Sequence, residues 1–140
     1  LHAELVFTLQ DEQKKLEWRQ RAAWTLGQLR DAESVPHLIE ALGGESALAE
    51  SARDALRRIT GRDVGRYRFR WRSWWKRNGE AGRVRWLADA LDQSDAKLRQ
   101  RAAEELVLLT GRGFDRRHAA TTREGAKELA AFFLTPPAQP

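Results

Sequence analysis

The chain has 140 residues, 41% hydrophobic and 32% charged, with a net charge of +5, enough for one domain with a real core. Cysteine is absent, which excludes disulfides, thiolate metal sites and a catalytic thiol, and fits a reducing, cytoplasmic compartment. No apolar run approaches the roughly 18 residues of a membrane span and no signal-peptide pattern opens the chain, so no membrane partner is expected. The chain begins at Leu1 and contains no Met, and so reads as a mature or excised piece of a longer protein.

Helix signals dominate from the start. Leu5 to Leu9 suggests a short helix, and Leu16 to Leu29 looks like the second helix of an incomplete pair. Asp31-Ala32-Glu33-Ser34 then breaks the periodicity and supplies cap-type residues before Val35-Pro36. Proline suits a helix start because the amide hydrogen it lacks would have no partner there. Val35, Leu38, Ile39 and Leu42 share one helical face, and Gly43-Gly44 ends the element. Ser46 is the expected cap of the next helix, whose stripe is Leu48, Ala52, Ala55, Leu56 and Ile59 before Gly61.

The plan then repeats. Val84, Leu87, Ala88 and Leu91 match the first stripe, a polar turn follows at Asp92-Gln93-Ser94-Asp95, and Leu98, Ala102, Leu106 and Leu109 match the second. Arg19-Gln20-Arg21-Ala22-Ala23 recurs unchanged as Arg99-Gln100-Arg101-Ala102-Ala103, each followed by Leu three and six residues on. Thr60-Gly61-Arg62 recurs as Thr110-Gly111-Arg112. Trp71, Trp74 and Trp75 find an echo in Leu129, Phe132 and Phe133, with a connection eight residues longer in the second copy. Each helix pair is therefore expected to be followed by a third helix pressing bulky side chains back on it. Self-similarity at this spacing is the mark of stacked helices.

The pattern Val-Pro-x-Leu-Ile-x-Ala-Leu over 35–42, a short acidic turn, then Ala-x-x-Ala-Leu-x-x-Ile-Thr-Gly over 52–61 resembles bacterial HEAT-like repeats, including the type found in phycobilin lyases. The resemblance covers roughly residues 16–112. It implies an all-α fold, a short α-solenoid whose faces bind other macromolecules, most often proteins. The expected organisation is one domain over 1–134, with a partial repeat at 1–30, one unit at 33–78 and another at 80–134, then a Pro-rich disordered tail at 135–140.

Charge is concentrated in one place. From Arg57 to Arg85 eleven Lys or Arg face two acids, a local +9 that leaves −4 for the rest. At its centre lies Arg66-Tyr67-Arg68-Phe69-Arg70-Trp71-Arg72-Ser73-Trp74-Trp75-Lys76-Arg77, without a single acid. Cations interleaved with aromatics suit nucleic acid, where they meet phosphates and bases, and equally suit protein hot spots. On a helix Trp71, Trp74 and Trp75 share a face, which reads as core; a partner contact is the alternative. Arg62, Arg66, Arg68, Arg70, Arg72, Lys76 and Arg77 form the candidate partner-binding set, opposed by the plainer reading of a solvated face.

Catalytic signals are weak by comparison. His2, His37 and His118 are isolated, and no acid or second His stands at metal-ligand spacing. Ser51, Ser73, Thr60 and Thr110 lack a nearby base, and Gly111-Arg112-Gly113 is a turn, not a phosphate cradle. Asp54 and Asp89 are expected to pair with arginines of the next repeat, with a basic ligand as the alternative. The sequence thus points to a non-catalytic scaffold, with no cofactor and no metal, that recognises an acidic protein partner through its Arg-rich surface. The alternative is binding of a DNA or RNA backbone by the same patch. A lyase-like enzyme is a third reading, for which no residues can be assigned.

Overall fold

The computed structural model describes residues 1–112 and 123–135, and every regular element in them is helical. In chain order these are α1 (His2–Gln10), α2 (Leu16–Gln28), a 3-10 turn (Ala32–Ser34), α3 (Val35–Ala41), α4 (Ser46–Thr60), α5 (Arg68–Asn78), α6 (Arg83–Ala90), α7 (Ala96–Thr110) and α8 (Arg123–Leu134). The chain divides into two compact units, Leu1–Glu80 and Ala81–Pro140. The expected disordered tail beyond Thr135, His118 and most of the longer second connection lie outside the described residues.

In the N-terminal unit the helices stack as pairs. α1 packs along α2 and against α3, while α2 lies along α4 and α3 packs on both α4 and α5. Like meets like: first helix on first, second on second. The predicted stripes are what they bury. Val35, Leu38, Ile39, Leu48, Ala52, Ala55, Leu56 and Ile59 are essentially inaccessible. The short helix expected at Leu5–Leu9 is longer, and Val6 and Leu9 are its buried residues. Small residues set the α2–α4 spacing. A Cβ built on Gly27 would lie 2.8 Å from the Ala55 Cα, so this crossing depends on a missing side chain.

The C-terminal unit repeats the construction around Leu87, Ala90, Leu91, Ala102, Ala103, Leu106, Leu129 and Phe133. α8 rests mainly on α6 and also on α7, as α5 rests on α3. Both third helices therefore return to their own pair, as the Trp/Phe echo implied, and make their main contact with its first helix.

The repeated phrases are repeated structures. Gly61 and Gly111 both take the left-handed conformation, with φ of 77° and 71°, and end α4 and α7. Before each, a Thr hydroxyl donates to the carbonyl four residues back, Thr60 to Leu56 at 2.7 Å and Thr110 to Leu106 at 2.6 Å. These threonines are helix-end residues. The first Arg of the duplicated phrase also has one job in both copies. Arg19 donates to the Leu9 carbonyl at the end of α1 (3.0 Å), and Arg99 to the Gln93 and Ser94 carbonyls beyond α6 (2.8 and 2.9 Å). A guanidinium at a helix C-terminus meets carbonyls without intrahelical partners and the negative end of the dipole.

Two expectations need correction. Ser46 does not cap α4, because the helix already includes it and Glu45 occupies the cap position without a side-chain bond. The capping side chain is Asp95, which accepts from Lys97 N and Leu98 N ahead of α7. Leu109, predicted to lie in the buried stripe, is 45% exposed whereas its counterpart Ile59 is fully buried. Both stand three residues beyond a buried Leu, at the edge of the face, so what covers the edge decides their burial.

Candidate interaction surface on α5

The chain enters α5 through a fixed loop. Asp63 accepts from Arg53 Nε and Nη2 at 3.0 and 2.8 Å and from Arg57 at 3.3 Å, and its carboxylate also receives the Gly65 amide at 2.9 Å. Burial works to raise the Asp63 pKa, but the Arg53 hydrogen bond, the Gly65 amide and the charges of Arg53 and Arg57 hold it below its ordinary value. The loop carbonyl of Gly65 then accepts the Trp71 indole N–H at 2.7 Å. Loop and helix are thus tied from both sides, and α5 starts from a defined point.

The tryptophans turn inward. Trp71 is fully buried and Trp74 nearly so, their rings meeting edge to face at 5.8 Å; Trp75 is half-buried. An indole buried with its N–H satisfied is core by the ordinary rules. For Trp71 and Trp74 the core reading holds.

The cations face out in two rows. Arg68, Arg72 and Lys76 recur every four residues along one flank, while Arg70 and Arg77, seven apart, lie on the other. The first row meets α3. Arg72 donates through Nε to Glu40 Oε1 at 2.9 Å and through Nη2 to the second carboxylate oxygen, and Arg68 Nη1 lies 3.6 Å from the same group. The Arg72 hydrogen bond, opposed by burial and helped by the charges of Arg72 and Arg68, holds the Glu40 pKa below its ordinary value. The Arg68 guanidinium lies against Gly43, where an added Cβ would come within 2.4 Å of it.

At the start of α5 the aromatics face solvent. Tyr67 and Phe69 are 49% and 65% exposed and stack with ring centroids 5.9 Å apart. Arg66 lies 5.0 Å over the Tyr67 ring and donates to its hydroxyl at 2.8 Å, and Arg70 lies 6.0 Å from the Phe69 ring. Cation and ring alternate along this stretch. Among the described residues no carboxylate pairs with Arg66, Arg70, Lys76 or Arg77.

The seven sequence-selected residues thus fall into different environments. Arg68, Arg70, Arg72, Lys76 and Arg77 are exposed on α5 and Arg66 is exposed in the loop just before it, whereas Arg62 is half-buried and its backbone is bound to Thr60. Glu40 was missed; its one signal was an acid on the outward side of α3, and no sequence rule says which helix that side meets. Tyr67 and Phe69 were signalled by their alternation with arginine. Asp54 and Asp89, expected to pair with arginines of the next repeat, each make a local ion pair. Asp54 pairs with Arg57, and Asp89 with Arg85 at 3.3 Å, each on its own helix, because partners three or four residues away are already within reach. His2 pairs with Asp31, and His37 Nδ1 accepts from Gln10 Nε2 at 2.8 Å. Among the described residues no three His, Asp or Glu gather as a metal site, and no helix is long and apolar enough to cross a membrane.

Residues 18–44 match the family model described as PBS lyase HEAT-like repeat, a stretch running from α2 through α3 to the glycines behind it. No curated protein and no solved structure matches the chain. The matched stretch is a helix, a polar turn and a second helix, stacked on α4 and α1 as repeats stack on their neighbours. The chain carries a HEAT-like repeat and is built as a short, all-α repeat protein.

Proposed function

We propose that the chain is a non-catalytic scaffold that recognises an acidic protein partner through the outer surface of α5. HEAT-like repeats serve generally as protein-interaction scaffolds, which supplies the class. The observation that carries the specific reading is the exposed Arg66–Tyr67–Phe69–Arg70 stack, with Lys76 and Arg77 further along the same helix. Arg and Tyr are the residue types that dominate protein hot spots, and here they stand on an element fixed by buried tryptophans. Arginine also forms the better fork for carboxylates.

A second reading has one observation in its favour. The stacked, solvent-facing Tyr67 and Phe69 rings are also what a single-stranded nucleic acid would use as a platform. Titration separates the two. The probes are a fluorescent twelve-residue peptide of alternating Glu and Phe, and single- and double-stranded oligonucleotides, at about 50 and 200 mM salt. The expected result is saturable peptide binding that is lost in the Arg66→Ala/Arg70→Ala variant. Tighter binding of single-stranded DNA, with a salt slope near −3 for about four phosphates, would move the assignment to nucleic acid. Binding to none of the probes would overturn both.

A further inference from the structure

We infer that Arg68 and Arg72 form a carboxylate cradle that the chain occupies itself, with Glu40 standing in for a carboxylate of the partner's acidic segment. The inference rests on the acidic-partner reading and adds to it a residue that sets affinity. Three observations carry it.

The first is geometry. The Arg72 fork grips both oxygens of Glu40, with Nε at 2.9 Å, and Arg68 Nη1 adds a second guanidinium at 3.6 Å. Two arginines around one carboxylate are a complete binding arrangement, supplied here by a side chain 32 residues away on another helix. The position of Arg68 is built in as well, since its guanidinium fills the space that Gly43 leaves open.

The second is exposure. The side chains of Arg68, Arg72 and Glu40 are 45%, 53% and 49% exposed, so water and an incoming group reach the pair from outside. Exposed pairs contribute little to stability, and exchanging one carboxylate for another conserves the hydrogen bonds. The third is redundancy. α5 is already held on α3 by buried Trp71 and Trp74, and its entry loop by Asp63, so the fold does not need Glu40 to keep the helix in place. Beside the cradle stand cations without a carboxylate, Lys76 one turn on and Arg70 on the opposite flank, ready for further acids of the same segment.

Glu40→Gln tests this, measured with the Glu/Phe peptide by fluorescence polarisation beside two controls. Glu50→Gln removes an equal charge from an exposed site on α4, and Glu40→Gln/Arg72→Ala removes the cradle. The expected result is a gain of about three- to tenfold in affinity for Glu40→Gln, less than twofold for Glu50→Gln, and no gain in the double variant. In the unaltered chain the Arg72 Nε–H resonance should shift on peptide addition, which needs no variant to fold. Equal or weaker binding by Glu40→Gln, an equal gain in Glu50→Gln, or an unmoved Arg72 resonance would overturn the inference. If the unaltered chain binds the peptide and loses it in Arg66→Ala/Arg70→Ala, those failures leave the acidic-partner reading standing. If no form binds the peptide, both fall.

Discussion

α5 and α8 hold the same place in their units and carry bulky side chains at the same three positions, the first buried in both, yet their described outward residues differ. Trp71 and Leu129 are both buried, and the second and third positions are in aromatic contact in both helices, Trp74–Trp75 tilted at 6.4 Å and Phe132–Phe133 edge to face at 5.1 Å. On the outside α5 shows Arg70, Arg72, Lys76 and Arg77, while α8 shows Lys127, Glu128, Ala131 and Leu134. A third helix that packs on its pair therefore needs only the inward trio. Arg70, Lys76 and Arg77 are surplus to the ion pairs of the fold: among the described residues they meet no carboxylate, whereas Arg68 and Arg72 are engaged with Glu40. That surplus is why the α5 surface, and not another, is the candidate interface.

The inward half of the comparison carries the largest expected effect. Trp71→Ala should destabilise the N-terminal unit by about 3–5 kcal/mol, and Leu129→Ala the C-terminal unit by about 2–4 kcal/mol, each read as a shift in urea midpoint. A negligible loss from Trp71→Ala would break the equivalence of the two helices. The loop that delivers α5 has no described counterpart before α8, and Asp63→Asn should cost about 1–2 kcal/mol by releasing Arg53 and Arg57. Its pH dependence has a definite sign. The folded pKa of Asp63 lies below the ordinary 3.8, so its stabilisation is complete above that value and fades as pH falls through the folded one. Glu40 behaves alike relative to 4.5, with a smaller effect because it is exposed. An acid titration of stability should therefore be flatter in Asp63→Asn than in the unaltered chain. The smallest stability change belongs to the outer surface. Arg70→Glu/Arg77→Glu should alter unfolding free energy by no more than about 0.5 kcal/mol while abolishing peptide binding. A large loss of stability would show that the cations are part of the fold after all.

Much of the architecture was legible because repetition reports itself. The duplicated Arg-Gln-Arg-Ala-Ala, the two Thr-Gly-Arg stops and the Trp/Phe echo each mark a structure that occurs twice, and periodicity named most of the residues of both stripes, Leu109 excepted. The candidate surface was legible only in composition. Its arginines could be counted, but Arg62 turned out half-buried, and Arg68 and Arg72 turned out to share Glu40. Leu109 and Ile59 stand at equivalent sequence positions and differ completely in exposure.

These successes and failures divide along one physical line. By itself the sequence determined what depends on neighbours within a turn or two: helix type, most of the inward face of each helix and the glycine stops; the i,i+3 and i,i+4 pairs of Asp54 and Asp89 are equally local but were read as contacts between repeats. Tertiary structure alone decided which outward side chain meets which across helices. It set Glu40 of α3 between two arginines of α5, and laid Asp63 against Arg53 and Arg57. The reason is reach. A local pair is fixed by the 1.5 Å rise of one helix, whereas a pair 32 residues apart exists only once buried tryptophans have set one helix against another.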